Sequence, residues 1–142
     1  MTDNTLSLLG LARRGGNLVL GEEPVAEACR LKKARVVFLA ADAGETTARR
    51  GTRMAESAGV PLVVLPWTKA ELGDQLGRAS CALLALTDLG LAAAVVSRLA
   101  GRDESLRPTA ETLFEKSGRR KNRPTQKKQK PRAGETPADR EP

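Results

Sequence analysis

Val36-Val37-Phe38-Leu39-Ala40, bounded by Arg35 and Asp42, is an unbroken apolar run of strand length. A strand with one wet face alternates apolar and polar residues, whereas a strand covered on both faces reads as a continuous run. This segment therefore predicts a sheet packed between two layers. Pro61-Leu62-Val63-Val64-Leu65, closed by Pro66, reads as a second buried strand, and Ser80 to Leu86 as another. Leu18-Val19-Leu20, ended by Gly21, is a very short strand near the N-terminus.

Outward from these runs the pattern becomes helical. Thr5 to Arg13 carries Leu6, Leu8, Leu9, Leu11 and Ala12, and Arg14-Gly15-Gly16-Asn17 stops it. Glu22 to Leu31 has an acidic start, Pro24 in its first turn and a basic end, which match the helix dipole. Val25, Ala28 and Cys29 form its apolar stripe. Asp42 to Ala58 turns Ala48, Met54 and Ala55 inward and Arg49, Arg50 and Arg53 outward, with Gly59 as the C-cap. Thr68-Lys69-Ala70-Glu71 fits a capping box for a short helix to about Leu76. Asp88 caps a last helix through about Ala100.

Helices alternating with apolar strands predict an α/β fold, a three-layer α/β/α sandwich over residues 1–100. From Gly101 the composition changes. Pro108 to Ser117 supports a helical turn or two, and Gly118 onward carries no core-forming residue. Residues 101–142 are thus expected to be a linker and a disordered basic C-terminal tail.

Charge is divided in the same way. The chain of 142 residues has 24 basic and 17 acidic side chains. Residues 1–116 hold 15 basic and 14 acidic, whereas residues 117–132 hold eight basic and none acidic. The domain is nearly neutral, and the high isoelectric point belongs to the tail. Histidine is absent, which removes histidine-based acid–base catalysis, His metal sites and Ser–His–Asp triads. Phe38, Trp67 and Phe114 are the only aromatic residues, too few for a base-stacking platform.

Cys29 and Cys81 lie in apolar surroundings and form no C-x-x-C, so they read as buried thiols of a reducing cytoplasm. The N-terminus lacks the features of a signal peptide, and Leu89 to Val96 is too short to span a bilayer. A cytoplasmic, membrane-free protein is expected, and the lack of a coiled-coil stripe favours a monomer. Neither a dinucleotide loop nor a P-loop is present. Asp42 and Asp88, just after strands, read as caps of the helices they open, and Glu22 and Glu23 as complements of a helix dipole. No nucleophile, base and orienting group assemble, so neither catalysis nor a cofactor is expected.

Four segments occur in order: Gly15-Gly16-Asn17-Leu18-Val19-Leu20-Gly21-Glu22-Glu23, Lys33-Ala34-Arg35-Val36-Val37-Phe38-Leu39-Ala40-Ala41-Asp42-Ala43, Val60-Pro61-Leu62, and Glu71-Leu72-Gly73-Asp74-Gln75-Leu76-Gly77-Arg78. Together they resemble the small bacterial YlxQ-like proteins. That family belongs to the ribosomal-protein superfamily with the archaeal and eukaryotic kink-turn binders. The resemblance covers about residues 5–100. It implies a mixed four-stranded sheet between helices and a non-catalytic RNA-binding function, associated with the ribosome or RNA assembly. It also implies a site. The strand-ending glycine, matched by Gly21, and the next helix's N-terminus enter the widened groove of a kink-turn. The loop before the last strand, here Gly77, Arg78, Ala79 and Ser80, covers an extruded nucleotide. Glu22 and Glu23 follow the glycine. Pro24 stands where the family has a polar side chain, and Glu27 where it has a lysine.

Backbone N–H groups at Gly21 to Glu23 suit a phosphate whatever the side chains are. Arg13, Arg14 and Asn17 precede this turn, and Lys32, Lys33 and Arg35 follow the helix, where Lys32 and Lys33 also match its dipole. Arg49, Arg50 and Arg53 read as a solvated helix face. The tail offers Arg119, Arg120, Lys121, Arg123, Lys127, Lys128 and Lys130 as an electrostatic arm for RNA. If all eight cations of residues 117–132 neutralised phosphates, the log–log salt slope would be roughly −6 to −7. Structured RNA, ribosomal or another kink-turn RNA, is thus the expected partner. The alternative is a protein-interaction or assembly module with the RNA site eroded at Pro24 and Glu27, its tail binding RNA without selection.

Overall fold

The computed structural model describes residues 4–121. Helices α1 (Asn4–Arg14), α2 (Glu22–Arg30), α3 (Glu45–Ala58), α4 (Lys69–Leu76), α5 (Leu89–Ala100) and α6 (Arg107–Lys121) alternate with strands β1 (Leu18–Leu20), β2 (Val36–Leu39), β3 (Leu62–Val64) and β4 (Leu83–Leu86) until α5. The strands form one four-stranded sheet in the order β1-β4-β2-β3. β4 is antiparallel to both β1 and β2, and β2 is parallel to β3, so the sheet is mixed.

Helices cover both faces. Because side chains alternate along a strand, Val36, Phe38, Leu84 and Leu86 point into a core shared with α1, α4, α5 and α6. Val37, Leu39, Leu83 and Ala85 point the other way, onto Val25, Ala28 and Cys29 of α2 and Ala55 of α3. This explains why β2 and β4 read as continuous apolar runs: every residue of both is buried. β3 departs from its expected burial. It is an edge strand, and Val64 is 56% exposed.

Three helix boundaries are set as expected. Thr68 Oγ1 accepts the Glu71 N–H at 3.1 Å while Glu71 Oε1 accepts the Thr68 N–H at 2.8 Å, a complete capping box. Asp88 caps α5 by accepting the Leu91 N–H at 2.8 Å. Gly59 ends α3 in the left-handed conformation, φ 71°. The start of α3 differs: it begins at Glu45 behind Gly44, and Asp42 does not cap it.

The C-terminal region also departs from expectation. After a 3-10 turn at Glu104–Leu106, α6 runs for 15 residues rather than one or two turns. It lies against α5, and Ala110 and Leu113 join the main core. The packed unit therefore continues past the boundary expected at residue 100, and α6 extends beyond Gly118, where disorder was expected to begin. α5 is apolar around most of its circumference because α1 and α6 both pack on it.

Candidate nucleic-acid interface

The sheet register gathers three loops at one end of the molecule. The Gly21 N–H, just after β1, donates to the Leu83 carbonyl at 2.8 Å. The Ala40 N–H, just after β2, donates to the Ala82 carbonyl at 2.9 Å. The segment entering β4 therefore lies between the exits of β1 and β2. Gly21 has φ 96°, a conformation that side-chain-bearing residues rarely adopt, and this turns the chain from β1 into α2. The Gly21 carbonyl accepts the Val25 N–H at 3.1 Å. As N-cap, glycine brings no side chain, so the first turn of α2 has no side-chain cap. N–H groups at such an end are open to an anion.

The carboxylates of this helix are less repulsive than their clustering in sequence implies. Glu22 Oε1 pairs with Arg50 Nη1 of α3 at 2.8 Å. Glu27 pairs with Arg30 one turn later on α2.

The loop after α4 is held down by backbone contacts. Gly77 ends α4 with φ 76°, and the Arg78 N–H returns to the Gly73 carbonyl at 2.8 Å. A Cβ at Gly73 would lie 2.6 Å from the Arg78 carbonyl oxygen and 2.8 Å from Ser80 Cα. Gly73 thus lets the loop sit directly on α4. The Cys81 N–H donates to the Lys69 carbonyl at 2.9 Å, tying the loop's far end to the start of α4. Gly77, Arg78, Ala79 and Ser80 are all exposed. Beneath them burial raises the pKa of the Cys81 thiol, and the nearby charges of Arg78 and Arg13 act in the opposite direction. Arg13 also borders Gly77: a Cβ there would be 3.6 Å from its Nη1.

Gly21, Glu22 and Glu23 therefore lie at the end of the sheet where Gly77, Arg78, Ala79 and Ser80 lead into β4. The other expected domain residues do not. Asn17 accepts the Thr87 N–H at 2.9 Å through its carbonyl, at the opposite end of the β1–β4 pair. Lys33 shares a cleft with Gly16 and Thr87 there. Lys32, the one non-glycine residue with positive φ (61°) among the described residues, reaches the Ser57 carbonyl with Nζ at 3.3 Å. Arg14 ends α1 and leads into the turn before β1. Grouping these four with Gly21 is corrected. They are near Gly21 along the chain, but a strand or a helix separates them from it in space.

Arg119, Arg120 and Lys121 fall in the last turn of α6, whereas Arg123, Lys127, Lys128 and Lys130 lie outside the described residues. Arg50 and Asp42 are not among the expected site residues. Arg50 was read as part of a solvated face, and nothing local marks its partner on another helix. Among the described residues no group of three or more His, Cys, Asp or Glu is placed to hold a metal ion. No helix among them is long and apolar enough to cross a membrane.

Residues 3–96 match the model of the ribosomal protein L7Ae/L30e/S12e/Gadd45 family. The chain belongs to this family. Two curated relatives carry the name RNA-binding protein YlxQ. The one from Bacillus subtilis (strain 168) is 35% identical over 92 residues, 65% of this chain and 91% of that protein. The one from Enterococcus faecium is 36% identical over 73 residues, 51% of this chain and 70% of that protein. Among solved structures, a Bacillus halodurans C protein of unknown function is similar with TM-score 0.63 and 29% identity, over 68% of this chain and 97% of that one. The Giardia lamblia 15.5kD RNA binding protein shares the fold with TM-score 0.55 and 19% identity, over 75% of this chain and 92% of its own. In this L7Ae-family chain the family match spans Gly21, α2, α3 and the 77–82 loop, and stops before α6.

Proposed function

We propose that the domain is a non-catalytic RNA-binding module that recognises a kink-turn or a similarly bent structured RNA. In this reading it acts as a monomer in the cytoplasm, on ribosomal RNA or during RNA assembly. The observation that supports it is that one end of the sheet carries both an uncapped helix N-terminus and an exposed small-residue loop that includes Arg78 and is bordered by Arg13. Each part has a physical task. The N–H groups of the first turn of α2 receive a phosphate oxygen. Arg13 and Arg78 neutralise backbone charge on the side of the covering loop. Ala79 and Ser80 present little bulk, so an unstacked nucleotide can lie against them. Pro24 removes one side-chain contact to a base edge and leaves backbone and arginine contacts to carry the affinity.

Fluorescence anisotropy tests this with the full-length protein, on a kink-turn RNA and on the same RNA with its G·A pairs changed to Watson–Crick pairs. The proposal expects preference for the kink-turn at near-physiological salt, retained by residues 1–121. Equal binding to both RNAs, with a steep salt dependence that disappears on truncation, would assign binding to the tail and leave the domain as an assembly module.

A further inference from the structure

α2 and α3 pack side by side on one face of the sheet. Arg50, in the second turn of α3, reaches across so that its Nη1 lies 2.8 Å from Glu22 Oε1 in the first turn of α2. Both α2 and α3 start at the loop-bearing end, so this contact lies at the proposed RNA end of the molecule.

The Glu22 carboxylate sits where a helix N-terminus favours an anion, beside N–H groups that no side chain caps. That is also where an incoming phosphate would bind. The pair is open to solvent, with side chains 55% exposed for Arg50 and 38% for Glu22, and an exposed ion pair is easily exchanged. The middle of α2 brings no replacement, because position 27 is an acid already paired with Arg30.

We propose that Arg50 is an RNA-contacting residue of this site and that Glu22 takes the place of a phosphate in the free protein. On binding, the guanidinium passes from the carboxylate to a phosphate, whose oxygens accept two parallel N–H bonds from it. Glu22 swings toward solvent, repelled by the same phosphate. The inference rests on the RNA-binding reading and gives the N-terminal end of α2 a cation supplied by α3. Glu22 thereby lowers affinity for all RNA without changing which RNA is preferred.

The test compares wild type, Glu22→Gln, Arg50→Gln and Arg50→Lys, all full length, on the kink-turn RNA and its Watson–Crick control across a salt series. Arg50→Gln is expected to bind about tenfold more weakly. Its log–log salt slope should be shallower by about 0.7–0.9, the loss of one phosphate contact. Glu22→Gln should bind roughly threefold more tightly. Arg50→Lys should keep the wild-type slope with reduced affinity, because the charge stays and the paired geometry is lost. An unchanged slope in Arg50→Gln overturns the proposal, and so does weaker binding by Glu22→Gln. The kink-turn reading fails separately, if wild type does not distinguish the two RNAs. The slopes on the control duplex then still decide the role of Arg50.

Discussion

Asp42 accepts the backbone N–H of Lys69 at 2.8 Å, so the loop leaving β2 caps the first turn of α4 rather than the helix that follows it. With Thr68 and Glu71 already forming a capping box, the start of α4 is held from two directions. The Lys69 carbonyl in turn receives the Cys81 N–H at 2.9 Å. Asp42 thereby steadies the 77–82 loop through Lys69. Asp42→Ala is expected to cost about 1 kcal/mol in urea denaturation, as for loss of a cap. Asp42→Asn keeps an acceptor oxygen and should recover most of that.

Gly73 is the tightest glycine in the domain, because the atoms a Cβ would meet belong to backbone. Gly73→Ala should therefore lower stability by about 1–3 kcal/mol. It should also displace the 77–82 loop and reduce discrimination between kink-turn and control RNA. Gly44→Ser is the contrasting substitution: φ is −66° and nothing lies within 4 Å of the added carbon. It places a capping hydroxyl ahead of α3 and should gain a few tenths of a kcal/mol.

Leu113 and Phe114 are adjacent in α6 but face opposite surroundings, at 2% and 58% exposure. Leu113→Ala opens a cavity between α6 and α5 and should cost about 2–4 kcal/mol. Phe114→Ala should stay within about 0.5 kcal/mol of wild type. Equal effects of the two in urea denaturation would refute the placement of α6.

Cys29 and Cys81 are both buried, and in each case burial, the larger cause, pushes the thiol pKa up. Neither should react with a disulfide reagent near neutral pH until urea unfolds the chain. Above the usual thiol pKa of about 8.5, the unfolded chain ionises while the folded one keeps its protons. Stability associated with these groups is therefore fully present below that pH and falls as pH rises toward the raised folded values. Replacing both with Ala should flatten this alkaline decline in pH-dependent unfolding.

Lys32 and Lys33 lie at the end of the sheet opposite Gly21. Replacing both with Ala should lower affinity for kink-turn and control RNA by the same factor in anisotropy titrations. A selective loss on the kink-turn would place them in the site after all.

The parts legible in sequence are those with a local cause. Val36 to Leu39 and Leu83 to Leu86 are covered on both faces, so their composition carries the layer architecture. Gly21 and Gly77 mark two loops of the candidate site, and positive φ at both accounts for the glycines. Val64 misled because an edge strand has the same composition as a buried one. α6 is longer than its sequence suggests because Ala110 and Leu113 are its only buried apolar anchors among the described side chains, and most of its 15 residues are polar. The Glu22–Arg50 pair was invisible, since it depends on how two helices lie side by side, and so was the separation of Lys32 and Lys33 from Gly21.

β4 sits inside the sheet, yet its partners come from the first third of the chain: Leu18 pairs with Leu86 and Val37 with Ala85. Such distant pairings close late in folding. During synthesis α1, β1, α2 and β2 are made well before β4, but β1 has no other neighbour in the sheet and must wait for it. The start of β4 reaches Gly21 in the same step, through Leu83. A growing chain therefore gains its loop-bearing end as one of its last acquisitions, and a half-made copy lacks the site proposed to bind RNA.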